Sequence, residues 1–86
     1  MKTSEKMRRT LIRVVSINGV LSPLNYPQGV RVVIPGWHWQ RDVYVFKQGI
    51  PPAIFKTMKE GKRYHVKCNY GAEKESDLCF DEWEKE

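Results

Sequence analysis

No apolar run in the chain exceeds a few residues; Leu11 to Val15 and Val30 to Pro35 are the clearest. Both fall far short of the roughly 20 residues needed to span a bilayer, so no membrane segment is expected. The charged start, Met1 to Arg9, leads into Leu11-Ile12-Arg13-Val14-Val15. The internal arginine breaks the apolar stretch that a secretory signal requires, and a cytoplasmic protein is expected. Cysteine is scarce as well. By count Cys68 and Cys79 could form one disulfide, but two cysteines in an otherwise unstapled chain also suit a reducing compartment, and free thiols are the expectation.

Signatures of catalysis are also missing. There is no nucleophile elbow, no HExxH and no Walker-type glycine loop, and Gly19 and Gly29 stand in turn contexts. Cys68, Cys79, His38 and His65 lack the CxxC pair or short histidine spacing of a structural zinc site. Asp77, Asp81 and Glu82 lie in a dense run of acids, where solvated charge accounts for them. A nuclease with His38 or His65 as its base would need a positioned partner, and none is visible. The expectation is a binding protein that is not an enzyme and needs no metal or cofactor.

What is present fits one small domain. The 86 residues are 41% hydrophobic and 29% charged, enough for a single modest core beneath a soluble surface. The net charge of +5 hides an asymmetry. Residues 1–70 hold thirteen Lys or Arg against Glu5, Asp42 and Glu60, a balance of +10, whereas residues 71–86 hold Lys74 and Lys85 against seven acids, a balance of −5. A basic body concentrates polyanions around itself. The expected organisation is a flexible basic arm over 1–9, a domain over 10–83 and an acidic end over 84–86.

Periodicity and turn chemistry predict five strands. The first covers Leu11 to Asn18, rich in β-branched residues. A loop with two prolines and two glycines follows over 19–29, and the second strand is Val30 to Ile34, ended by Pro35-Gly36. The third runs from Trp39 to Lys47, with Val43 and Val45 facing the core and Tyr44 and Phe46 facing away. Pro52 and Gly61 bracket a two-turn helix over 53–60. The fourth strand alternates most cleanly: Tyr64, Val66, Cys68 and Tyr70 face inward, and Arg63, His65, Lys67 and Asn69 outward. The last spans Ser76 to Asp81 with Leu78 and Phe80 inward, Cys79 partly exposed and Trp83 anchoring its end. Five strands with a short helix between the third and fourth predict an all-β fold, a small five-stranded OB-like barrel.

The candidate site combines cations with aromatic rings. Arg31, Arg41, Lys62, Arg63, His65 and Lys67 suit a phosphate backbone, and Trp37, Trp39, Tyr44 and Phe46 offer faces on which bases stack. The expected partner is single-stranded DNA or RNA, bound with weak sequence preference. The alternative is a protein-interaction module, such as an accessory subunit or inhibitor of a nucleic-acid enzyme, whose acidic C-terminal segment docks on a basic partner. A third role for those acids is competition with nucleic acid for the basic surface.

Overall fold

The computed structural model describes residues 6–18, 28–37 and 39–86. Its strands are β1 (Arg8–Asn18), β2 (Gly29–Val33), β3 (Val43–Phe46), β4 (Arg63–Cys68) and β5 (Phe80–Lys85). They form one antiparallel sheet in the order β3-β2-β1-β4-β5. The eleven-residue β1 lies in the middle and serves two neighbours. Its first half pairs with β4 from Arg8↔Cys68 to Arg13↔Arg63, and its second half pairs with β2 from Arg13↔Val33 onward. At the irregularity between Val14 and Ser16, the Val14 N–H donates to the Lys62 carbonyl and the Gly61 N–H donates to the Val14 carbonyl, each at 2.8 Å. These two bonds tie Val14 to the segment that leads into β4, beside the irregularity in the β1–β2 ladder.

The expected barrel is not formed: the sheet is open, with β3 and β5 as its two edges. The cause lies in residues 74–78. They do not extend as a strand; Glu75–Asp77 form a 3-10 turn in which Asp77 and Leu78 donate N–H bonds to the Lys74 and Glu75 carbonyls. Backbone groups satisfied within a turn are not available for a ladder. The Glu75 side chain reaches β3, accepting the Tyr44 backbone N–H at 3.0 Å. The last strand therefore begins at Phe80, later than Ser76, and continues through Lys85. The acidic C-terminal segment is mostly an edge strand.

Alternation builds the core as the sequence implies. Ile12 and Val14, Val30 and Val32, Val43 and Val45, and Tyr64, Val66 and Cys68 are buried on one side of the sheet. Fully burying a valine or isoleucine contributes about 1.5–3 kcal/mol. Connecting segments cover these side chains with Ile34, Trp37, Ile50, Met58 and Ala72. The buried Tyr64 hydroxyl meets the Thr57 hydroxyl at 2.8 Å, and Thr57 Oγ1 donates to the Ile54 carbonyl at 2.7 Å.

Other boundaries differ from expectation for local reasons. The helix α1 (Pro52–Phe55) is a single turn. Beyond it, Thr57 and Met58 donate to the carbonyls three residues back, which tightens the chain before Gly61 at φ 90° turns it into β4. β3 starts at Val43, not Trp39: Gln40 has φ 55°, outside the extended region, and its N–H closes a turn onto the Trp37 carbonyl at 3.0 Å. β1 reaches back to Arg8, into the segment read as an arm. The remainder of that segment below residue 6, the loop 19–27 and His38 lie outside the described residues.

Candidate nucleic-acid interface

Residues directly opposite each other in a ladder share a face, so register assigns the outer surface. Across β3 and β2, Tyr44 opposes Arg31 and Phe46 opposes Gly29. Across β1 and β4, Arg9, Leu11 and Arg13 oppose Lys67, His65 and Arg63. All of these lie on the face opposite the core. The sheet therefore brings together six of the expected site residues: Arg31, Tyr44, Phe46, Arg63, His65 and Lys67. Arg9, expected with Lys2, Lys6 and Arg8 as a mobile electrostatic clamp, joins them from within β1, and Arg13 joins them unanticipated. The signal for Arg13 was its odd position in the apolar run of β1, opposite in parity to Ile12 and Val14.

The remaining four lie elsewhere. Trp37 is 2% exposed and belongs to the core, so it presents no stacking surface. Trp39 is exposed, but it sits in the β2–β3 connection, and its indole N–H donates to the Glu73 carbonyl. Arg41, in the same connection, pairs with Glu75 at 2.8 Å. Lys62 is exposed just before β4.

The face divides electrostatically into two halves. On the β4–β5 side the acids of the edge strand reach across to the cations: Arg9 to Glu84 at 3.0 Å, Arg63 to Glu86 at 2.8 Å and Lys67 to Glu82 at 3.4 Å. On the β1–β3 side, Arg13 and Arg31 have no carboxylate partner among the described residues. The Arg31 guanidinium lies 5.7 Å from the centre of the Tyr44 ring, and the Phe46 ring meets Tyr44 edge-on at 5.3 Å between centroids. Gly29 makes room for this arrangement, since a Cβ there would overlap the Val45 carbonyl oxygen and come within 2.8 Å of the Tyr44 ring. Phe46 is half exposed.

Where the barrel would have closed there is a groove of about 910 Å³. Tyr44, Phe46 and Gln48 line one wall, and Glu75, Ser76 and Phe80 line the other. Partial burial pushes the Glu75 carboxyl up, but the Tyr44 N–H bond and the Arg41 guanidinium, with Arg31 further off, outweigh it and hold the group below its ordinary value. The carboxylate is thus charged at neutral pH and fixed through both oxygens. Neither cysteine is bridged: Cys68 is buried and Cys79 exposed. Burial, with a smaller contribution from Cys79, pushes the Cys68 thiol up to about 12. Among the described residues, no group of three His, Cys, Asp or Glu could hold a metal ion, and no helix is long and apolar enough to cross a membrane. No family model matches the chain, and neither a curated protein nor a solved structure matches it.

Proposed function

We propose that this chain is a small binding protein for single-stranded nucleic acid, and that the strand lies on the outer face of β1–β3. Bases stack on Tyr44 and Phe46, while Arg31 and Arg13 meet the phosphates. The observation that carries this reading is the Arg31–Tyr44–Phe46 cluster, in which the guanidinium lies 5.7 Å and the Phe46 ring 5.3 Å from the centre of the Tyr44 ring on the outer sheet face. Aromatic rings accept any base by its π face, and a cation beside them fits the backbone that connects successive bases. The β4–β5 half contributes less, because its cations are already paired with acids.

The test is fluorescence anisotropy with labelled thymidine and uridine oligomers and a DNA duplex over a salt series. Single strands are expected to bind with a log–log salt slope of about −1.4, corresponding to two phosphate contacts at about 0.7 each. Phe46→Ala, at a half-exposed position, is expected to lose roughly 1–3 kcal/mol of affinity. Absence of binding to every oligomer at low salt overturns the reading. Capture of a protein that survives high salt would assign the same aromatic surface to an interaction module.

A further inference from the structure

The groove between β3 and the β4–β5 connection combines two apolar walls with one fixed charge, and that combination restricts what it can take. An anion would meet the Glu75 carboxylate. A fully apolar chain would strip water from that carboxylate without replacing its hydrogen bonds. An added peptide strand needs the outward N–H groups of β3, and the Tyr44 N–H is already bonded to Glu75 at 3.0 Å. A flat aromatic molecule with a polar edge satisfies both features, because its faces meet Phe46 and Phe80 while its N–H groups meet the carboxylate.

Glu75 is well prepared as an acceptor. One oxygen takes the Arg41 guanidinium at 2.8 Å and the other takes the Tyr44 N–H, which fixes the group in place. A carboxylate offers about four lone-pair sites, so each oxygen retains one. Gln48 and Ser76 add polar groups on opposite walls. The groove is continuous with the stacking surface, since Tyr44 and Phe46 belong to both.

We propose that this groove is a slot for one nucleobase, which leaves the strand lying on the Tyr44–Phe46 surface, packs between the apolar walls and turns its N–H donors toward Glu75. The inference rests on the nucleic-acid reading and adds a base preference to it. Guanine presents its ring N–H and its exocyclic amine side by side, two donors for one carboxylate. Thymine and uracil present a single ring N–H flanked by two carbonyl oxygens, which the carboxylate repels. A well-formed bidentate contact discriminates by roughly tenfold or more.

Cys79 provides a reporter, because it is exposed and lines the groove. Cys68 is buried with its thiol pushed up to about 12, so iodoacetamide at neutral pH modifies Cys79 alone. Two measurements on the full chain test the slot: the affinity of a thymidine oligomer against the same oligomer with one central guanine, and the rate of Cys79 alkylation with guanosine or uridine 5′-monophosphate present. The single guanine is expected to raise affinity about tenfold. Guanosine monophosphate is expected to slow alkylation severalfold, and uridine monophosphate much less. Ser76→Trp, which fills the groove from an exposed position, is expected to abolish the guanine-to-thymine ratio and the protection, with thermal unfolding as the fold control. If that variant does not fold, the near-isosteric Glu75→Gln reads the same ratio. Equal affinities together with no protection overturn the slot, even where the thymidine oligomer binds and the strand reading stands. Protection by guanosine monophosphate without binding of either oligomer supports the slot and overturns the strand reading.

Discussion

Replacing Glu82, Glu84 and Glu86 together with glutamine removes the carboxylates that meet Lys67, Arg9 and Arg63. The cost to stability should be small. All three pairs are between 40% and 66% exposed at their side chains, and exposed ion pairs contribute about 0.2–1 kcal/mol each, so a total near 1 kcal/mol is expected. The effect on binding should be larger. Each cation released to a single-stranded phosphate steepens the log–log salt slope by about 0.7, so three cations add about 2. Between 50 and 200 mM salt, a fourfold change, the variant's advantage over wild type is then expected to shrink roughly twentyfold. Anisotropy titrations at the two salts measure this, with thermal unfolding to show that the sheet is intact. Lys67→Ala supplies an internal control: it should change little in the wild-type chain, where Glu82 holds the lysine, and should remove about 0.7 from the slope in the triple variant. Equal affinities for wild type and the triple variant at both salts would refute the idea that β5 competes with nucleic acid for the face.

Two further outcomes are expected. Val66→Asp removes a fully buried side chain worth about 1.5–3 kcal/mol and places an unpaired carboxylate in the core; loss of the cooperative thermal transition is expected, and a transition like that of wild type would contradict the assigned strand faces. Glu75, whose folded value lies below the ordinary 4.5, stabilises the native state above the unfolded value and loses that contribution as pH falls through the folded one. Glu75→Gln should therefore cost about 1 kcal/mol at pH 7, discounted for a side chain one-third exposed. The difference in urea midpoint between variant and wild type should narrow below about pH 4.5, and a pH-independent difference would remove the charge from the explanation.

Sidedness was legible because it depends only on period two. Val43 and Val45 against Tyr44 and Phe46, and Tyr64, Val66 and Cys68 against Arg63, His65 and Lys67, separate by parity alone, and no knowledge of partner strands is required. Parity failed where the chain is not extended. Trp37 and Trp39 look like a strand pair in sequence, but the left-handed Gln40 beside them ends the extended path, and a turn sends Trp37 into the core and Trp39 to the surface. Closure was illegible for a related reason. Ser76, Asp77 and Leu78 read as strand from the apolar alternation that follows, yet a 3-10 turn takes up the Asp77 and Leu78 N–H groups locally, and the strand starts four residues later.

Charge is a different kind of information, because a count along the chain says nothing about distance. The +10 body and −5 end left a covering segment, a soluble tail and a contact with another protein all open, and it is the register of β4 with β5, with His65 opposite Glu84 and Lys67 opposite Asp81, that sets the acids beside the basic strand. The same late start of the last strand has two consequences. It carries the acids alongside β4, where they pair with Arg63 and Lys67, and it leaves the edge of β3 facing a groove whose far wall is the turn before Phe80. The two sheet edges consequently differ in character. β5 is lined with carboxylates and interrupted at Glu82, with φ 53°, features that discourage pairing with another chain. β3 carries the aromatic side chains Tyr44 and Phe46 and faces the groove, with Glu75, Ser76 and Phe80 on its far wall.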